Sequence, residues 1–323
     1  MKIIRGIKHL KIKEPTALTI GIFDGIHKGH KKILKQLKKR AKAMKGKSCV
    51  LTFDPHPTKI LHPHKTPPML ISTKHKLNLL AAEGIDITVL INFTKDFAAA
   101  NPPYFAREIL AKKMSAAEIL VGKNFLFGKN RSGDVKKLKK LGKRFGFKVH
   151  SISPLKAGKD IISSTLIRKL VMSGKLKKAK RLLGKDVAIL GTVTKGARRG
   201  RLLGYPTANL NLHHEAIPPS GVYIVKVRLE NKEYPGVLNI GFRPTFHTGG
   251  REVTVEVHIF GFNKSIYGKD IEVIFLKRIR REYKFKNKEH LLSRINKDAS
   301  MAKKYLGDVS PFQKALRHKD LRK

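Results

Sequence analysis

The sequence predicts an α/β domain built on a parallel sheet, followed by an antiparallel β-barrel with one terminal helix. Three observations carry that expectation. Apolar strand-like runs alternate with amphipathic helical stretches over residues 17–153, the rhythm of a parallel sheet covered by helices. From about residue 187 the runs are strand-like only, with turns between them, and a barrel is their natural closure. A single helical stretch, residues 287–307, comes after the last of them.

Taken in order, ALTIGIF (17–23) is short, apolar and partly β-branched, and reads as a buried strand. Residues 30–46 place Ile33, Leu34, Leu37, Ala41 and Met44 on one stripe among lysines, an amphipathic helix with Gly46 as its stop. SCVLTF (48–53) is the next strand. DPHPTKILHPHKTPP (54–68) reads as a loop, because its prolines continue neither strand nor helix. A short helix at 73–84, a strand at 87–93, a proline-started helix at 101–114, a strand at 116–122, a helix at 134–146 and a strand from 147 complete the alternation. Residues 165–184 read as helical, so the domain boundary falls near 182–187. The barrel strands are expected in DVAILGTVTKG, GVYIVKVRLE, KEYPGVLNIG, REVTVEVHIF and DIEVIFLKRIR. No repeat of fixed period is present. Ligands of open parallel sheets sit beyond the C-terminal ends of the strands. GIFDGIHKGH, FDPHP and GKNFLFG all follow strands, so they are expected to converge on one crevice.

The 323 residues carry 70 Lys and Arg against 23 Asp and Glu, a formal charge of +47. Such a surface attracts polyanions at low salt. The basic residues are spread along the chain with helical spacing, which points to a solvated surface more than to a dedicated nucleic-acid site. Nonspecific polyanion binding is expected and specific nucleic-acid binding is not. The single cysteine, Cys49, rules out an internal disulfide and fits a reduced, cytoplasmic compartment. The first twenty residues lack a secretory pattern and no run of 18 apolar residues occurs, so no membrane span is expected. Oligomeric state is not legible.

GIFDGIHKGH (21–30) joins a strand to a lysine-rich helix. Gly21 and Gly25 allow backbone to approach a ligand closely. Free N–H groups and the positive end of a helix favour a phosphate there. His27 and His30 can donate hydrogen bonds to it. Asp24 does not suit direct contact with an anion, but can orient the loop or touch a sugar or a metal. The alternative is a turn with two exposed histidines. Metal ligation by the pair is disfavoured, since no cysteine lies near and the spacing is not that of a helical zinc site. Phe125 and Phe127 are either core or a flat apolar contact for a ring.

In the second half, GTVTKGARRGRLLGYPTANLNL (191–212) sets Gly196, Gly200 and Gly204 in a basic loop that can wrap phosphates, with Arg201 among the cations that balance their charge. It has no P-loop ending. Thr207 and Asn209 alternate around Ala208 and can offer two oxygens to hydrated Mg²⁺, or can satisfy local backbone. In VTVEVHIF, alternation puts Thr254, Glu256 and His258 on one face. That face is either simply solvated or aims Glu256 at an opening where it accepts a proton.

GIFDGIHKGH, FDPHP, VGKNFLFGKNRSG and ISSTLIR, in this order, resemble the nucleotidyltransferase half of the prokaryotic bifunctional riboflavin kinase/FAD synthetase family. GRLLGYPTANL, PPSGVY, NIGFRPTF, VEVHIF and YGKDIEVIFLKRIRREYKF resemble its riboflavin kinase module. The resemblance spans roughly residues 15–305. It implies a Rossmann-like nucleotidyltransferase domain (1–184) and a C-terminal β-barrel kinase domain with a terminal helix (185–323). It implies an enzyme that uses ATP to phosphorylate riboflavin to FMN and then adenylylates FMN to FAD, releasing pyrophosphate, with Mg²⁺ at both steps. By the same resemblance His27, His30 and Arg168 act on ATP phosphates. Gly21, Phe23, Asp24, Gly25, Asn124, Ser163, Ser164 and Thr165 contact substrate or nucleotide. In the kinase half Glu256 is the base, Thr207 and Asn209 take magnesium and nucleotide, and Gly196, Gly200 and Arg201 line the phosphate loop. From the residues alone, Ser163 and Ser164 also read as N-caps. Two departures stand out: Lys123, where the family commonly has an acid, and Gly261, where it often has one and a changed turn is expected.

Overall fold

The computed structural model describes residues 1–8, 10–196, 204–213, 215–230, 232–244, 251–283 and 285–309. The chain forms two compact units, one of Met1–Arg168 with Leu182–Gly184, the other of Lys169–Arg181 with Lys185–Lys323.

The first unit is a six-stranded parallel sheet. Its strands are β1 (Lys2–Arg5), β2 (Thr16–Ile20), β3 (Lys47–Asp54), β4 (Ile87–Asn92), β5 (Ala116–Gly122) and β6 (Lys148–Ile152), in the order β1-β4-β3-β2-β5-β6. Alternation within the central strands feeds two cores. Ala17, Val50 and Leu120 face the Lys28–Ala43 helix, which buries Leu34, Leu37 and Ala41 against them. Leu18, Leu51, Val89 and Ile119 face the opposite way, toward Ile109, Leu110 and Leu138. Each leucine so buried contributes about 1.5–3 kcal/mol. Cys49 is fully buried, and burial pushes its thiol up.

Four expectations change. The edge strand β1 was not foreseen; it pairs with β4 through residues too few to show a period. The first helix begins at Lys28 rather than His30, because His27 caps it. It ends at Ala43, and the left-handed residue beyond is Lys45; Gly46 is required for space, since a Cβ there would collide with the Pro15 carbonyl. Residues 54–68 are not all loop: Pro57 and Pro63 each open a short helical turn, Pro57–Leu61 and Pro63–Lys65, because proline is favourable in a first turn, where its missing N–H is not needed. The helical stretch 165–184 breaks into Ser164–Met172 and Leu176–Leu183 at left-handed Gly174. A small hairpin, β7 (Lys156–Ala157) and β8 (Asp160–Ile161), precedes it.

The second unit is a closed antiparallel barrel, as expected. It consists of β9 (Ala188–Thr194), β10 (Ala208–Leu212), β11 (Gly221–Leu229), β12 (Lys232–Pro244), β13 (Arg251–Ile259) and β14 (Asp270–Arg280), in the order β10-β13-β12-β11-β14-β9. Tyr223, Val225 and Val227 alternate into the interior, and Tyr223 meets Phe275 edge-on at 5.3 Å. The terminal helix, Lys288–Val309, seats Ala302 and Leu306 against Ile224, Val237 and Leu276. Gly261 lies in a left-handed turn after β13 (φ 66°) with open space where a side chain would stand.

Two candidate active sites

In the first unit, β2 ends at Ile20 and the chain turns sharply before the Lys28–Ala43 helix. Phe23, Gly25 and Ile26 all have positive φ (52°, 84° and 40°). Two of them carry side chains, a strain that persists only where surroundings enforce it. Here burial does so: Phe23 and Ile26 are 2% and 1% exposed. Gly25 has no such freedom, since a Cβ would meet Leu70 Cδ1 at 2.9 Å.

The two histidines are neither exposed nor independent. His27 Nδ1 accepts the His30 backbone N–H at 3.3 Å, so the ring caps the helix and leaves Nε2 as its N–H donor. The rings stack with centroids 3.7 Å apart. Gly29 is needed because a side chain there would meet the His27 imidazole at 3.1 Å. Burial holds His27 down to about 4. Burial, helped by His27 and Lys76, holds His30 well below its ordinary value. Both are neutral donors near pH 7. His30 Nδ1 is buried without a hydrogen-bond partner.

Asp24 is 2% exposed and behaves as an organiser. Its Oδ1 accepts the Ile71 N–H at 3.1 Å, and its Oδ2 accepts from Arg168 Nη2 at 2.8 Å. Burial pushes its carboxyl up, against the opposing pull of the Leu70 and Ile71 amides and Arg168. Arg168 thus has one donor committed to Asp24, while its Nε is buried and unpartnered. Ser164 donates to the Asp24 carbonyl at 2.8 Å. Ser163 caps its helix by accepting the Leu166 N–H at 3.3 Å.

A cavity of about 830 Å³ opens beside this loop. Of the sequence-predicted residues, Gly21, Phe23, His30, Asn124 and Ser164 line it. Asp24, Gly25, His27, Ser163 and Arg168 are not part of that lining, nor is Thr165, which is exposed. Phe53, Phe93, Phe97, Phe105, Phe125 and Phe127 form one wall, with successive ring contacts of 5.5–6.1 Å. Phe125 and Phe127 are therefore both core and cavity wall. Lys123 is exposed and its N–H bonds the Ile152 carbonyl.

Two residues here escaped the sequence reading. His56 caps Pro57–Leu61 by accepting the Thr58 N–H at 3.1 Å, and burial, Lys76 and Arg168 hold it down to about 4. Lys76, 3% exposed, reaches backbone and hydroxyl oxygens at the ends of β2 and β3. FDPHP signalled the first; nothing distinguished the second among 70 basic residues.

In the second unit the polar row is set by strand register. Glu256 on β13 lies opposite Asn209 on β10 and Asn239 on β12, so their side chains share a face. Thr207, just before β10, donates to Glu256 Oε2 at 3.4 Å. Val255, Val257 and Ile259 are buried while Thr254, Glu256 and His258 are half-buried, the predicted two faces. That outer face is covered: Thr207, Asn239, Glu256 and His258 line a cavity of about 440 Å³ with Leu291, Ile295 and Asp298 of the terminal helix. His258 Nδ1 bonds the Pro206 carbonyl at 2.7 Å, fixing the threonine loop to β13. Arg280 Nε donates to Asp298 Oδ2 at 2.8 Å and ties β14 to the helix. Gly196 packs so closely on the Asn209 carboxamide that a side chain there would displace it. Asn239 and Arg280 were missed, because register and helix docking are not local properties; His258 was placed on the Glu256 face without a role. Gly200 and Arg201 lie outside the described residues; Gly204 is left-handed and exposed.

Among the described residues no cluster of three His, Cys, Asp or Glu forms a metal site. Thr207, Asn209 and Glu256 instead gather a hydroxyl, an amide and a carboxylate, hard donors that suit Mg²⁺ when phosphates complete its shell.

Residues 9–166 match the FAD synthetase family and residues 183–306 the riboflavin kinase family. The chain is 38% identical over 308 residues to the bifunctional riboflavin kinase/FMN adenylyltransferase of Buchnera aphidicola subsp. Schizaphis graminum, covering 94% of this chain and 99% of that protein. It is 36% identical over 314 residues to the protein of that name from Escherichia coli K12, covering 96% and 100%. A solved structure named as a macrolide-efflux protein from Streptococcus pneumoniae superposes with a TM-score of 0.81 at 32% identity, covering 94% of this chain and 99% of that one. That name concerns the other protein; among the described residues here no helix is long and apolar enough to cross a membrane.

Proposed function

Because the chain belongs to the bifunctional riboflavin kinase/FMN adenylyltransferase family, and so phosphorylates riboflavin to FMN with ATP and adenylylates FMN to FAD with release of pyrophosphate, we propose that residues 1–184 carry out adenylyl transfer and residues 185–323 phosphorylation. The observation that carries this division is that each constellation is complete within its own unit: His27, His30, Asp24 and Arg168 in one, Thr207, Asn209 and Glu256 in the other.

In the first site FMN supplies its own phosphate oxygen as nucleophile. His27 Nε2 and His30, both neutral, donate hydrogen bonds to ATP phosphates without leaving a positive charge buried when the site is empty. Arg168, aligned by Asp24, stabilises charge that grows on the departing pyrophosphate, and such fixed donors lower the barrier most when they need not reorganise. Gly21, Phe23, Asn124 and Ser164 shape the cavity for nucleotide and flavin; Gly25, Ser163 and Thr165 support the loop and helix that carry the charged groups.

In the second site Glu256 takes the proton of the ribityl 5′-hydroxyl as it attacks the γ-phosphorus. Thr207 and Asn209 hold Mg²⁺, which when bound offsets phosphate charge. Gly196, Gly200 and Arg201 form the phosphate loop. A cytoplasmic setting fits the buried free thiol of Cys49. The +47 charge brings nonspecific polyanion binding at low salt and no specific nucleic-acid partner.

Incubation with riboflavin, ATP and Mg²⁺, with products separated over time, tests the assignment. FMN appears first and FAD second. Glu256→Ala lowers FMN formation by roughly 10²–10⁴-fold while added FMN is still converted to FAD. His30→Ala does the reverse, with a loss of about 10²-fold in FAD formation. Loss of both activities in either variant sinks the division of labour.

A further inference from the structure

Lys76 has no part in the mechanism above, yet its place is unusual. It sits on the buried face of the Thr73–Ala82 helix with Leu77 and Leu80, at 3% exposure. Its Nζ donates to the Ile22 carbonyl at 3.2 Å, to Thr52 Oγ1 at 3.1 Å and to the Phe53 carbonyl at 3.3 Å. Thr52 Oγ1 also donates to the Ile22 carbonyl at 3.2 Å, which closes the net. Ile22 belongs to the loop that leads into His27 and His30. Phe53 opens the segment that leads into His56. One ammonium therefore spans the C-terminal ends of β2 and β3, where both nucleotide-facing segments begin.

A lysine here costs stability, because a buried ammonium loses its hydration. A methionine would fill similar volume without that cost, so packing alone does not explain the residue. Three acceptors match the three N–H groups of the charged form; the neutral amine has two and leaves one oxygen unmatched. The charged and titratable groups around it come from every neighbouring element. Asp54 at the end of β3 and Asp24 in the histidine loop favour its charge. His30 in the first helix and His56 before Pro57 are disfavoured as cations by it. Arg168 joins the same cluster through Asp24.

We propose that Lys76 is a positioning residue for adenylyl transfer: its ammonium clamps the histidine loop to the FDPHP segment. The assignment rests on the adenylyltransferase reading of the first unit. Burial brings the Lys76 ammonium down to about 8, so the clamp loosens at mildly alkaline pH.

The test is the pH profile of FMN-to-FAD turnover in the full chain between pH 6.5 and 9.5, with riboflavin phosphorylation followed in parallel. The wild-type adenylylation rate falls on an alkaline limb centred near pH 8, and the kinase rate does not share it. Lys76→Met lowers kcat for adenylylation at least tenfold, with KM for FMN changed less than threefold and kinase turnover within twofold of wild type. Lys76→Arg, which keeps a cation and donors that do not titrate in this range, recovers part of the rate and loses the limb. A wild-type profile without the limb overturns the proposal with no variant needed. So does a Lys76→Arg profile that keeps the limb at the same midpoint, or a Lys76→Met rate within twofold of wild type. A wild-type chain that makes no FAD overturns the adenylyltransferase reading and this assignment together; one that makes FAD while the variants behave as wild type overturns this assignment alone.

Discussion

The polar groups of the adenylyl site hold one another around a buried Asp24 and His27, whereas those of the kinase site stand half-buried in a row that strand pairing sets. His27 caps the helix that presents His30, Asp24 holds Arg168, and the turn between them needs three residues of positive φ. Glu256, Asn209 and Asn239 need only the register of β10, β12 and β13 to meet. The first site is a local device under strain; the second is a consequence of barrel closure. Changes to a single residue should therefore spread through the first site and stay confined in the second. The exchange of activities expected for Glu256→Ala and His30→Ala is the coarsest way to break that contrast.

Asp24→Asn sharpens it. The substitution keeps an acceptor for the Ile71 N–H but removes the charge beside Arg168, whose side chain is 11% exposed. Removing one partner of a buried pair costs about 3–5 kcal/mol, because the other charge stays buried and uncompensated. Denaturant unfolding followed by adenylyl-site fluorescence of bound FMN should shift by that amount, and riboflavin phosphorylation should continue. A shift below about 1 kcal/mol would mean that Arg168 relaxes into solvent and that the cluster is not preorganised.

A smaller effect is expected for Gly25→Ala. It puts a side chain on a residue at φ 84° and 2.9 Å from Leu70 Cδ1, a cost of about 1–3 kcal/mol. The matching change in the barrel unit, Gly261→Ala, meets nothing within 4 Å and bears only the backbone term. Comparing the two unfolding midpoints separates crowding from backbone strain. Equal losses would place the whole cost in φ and leave the Leu70 contact without consequence.

Sequence periodicity made the layers legible, and it located β14 to the residue, because long apolar alternation leaves one way to bury both faces. It placed His27 and His30 at the helix start. The surroundings of His30 were not legible, since they include Lys76 of the Thr73–Ala82 helix, which comes from elsewhere in the chain. For Asp24 the sequence left open orienting the loop or touching a sugar or metal; its bond to Arg168, 144 residues away in sequence, was not legible. Residues 54–68 misled because proline was weighed there as a breaker, although it also starts helices, as it does at 101–114. Lys76 was beyond reach in principle: among so many solvated lysines, only tertiary packing marks the one that is buried. In the barrel, alternation gave the face of Glu256, but Asn239 required the register of a strand pair and Asp298 the docking of the terminal helix.

Acid titration gives the gentlest probe of the same contrast. His27 binds its proton near pH 4 in the folded chain and near its ordinary 6.5 when unfolded. The unfolded chain therefore holds more protons between those values, and folding stability falls as pH drops through that window. His56 is displaced in the same direction and adds to the loss. Asp24, whose carboxyl is pushed up, opposes it just above the ordinary aspartate value, where the folded state holds more protons. His30 and His150 are displaced the same way, so four histidines against one carboxyl leave a net loss. One unit below the ordinary histidine value the His27 contribution is about 1 kcal/mol, which unfolding midpoints at pH 7, 6 and 5.5 resolve. His27→Asn keeps a strong helix cap and removes the titrating ring, so its midpoint should fall less steeply than that of wild type, with His30, His56 and His150 supplying what remains. Should His27→Asn and wild type decline in parallel, the imidazole is solvated in solution, and the adenylyl site is held together no more tightly than the kinase row.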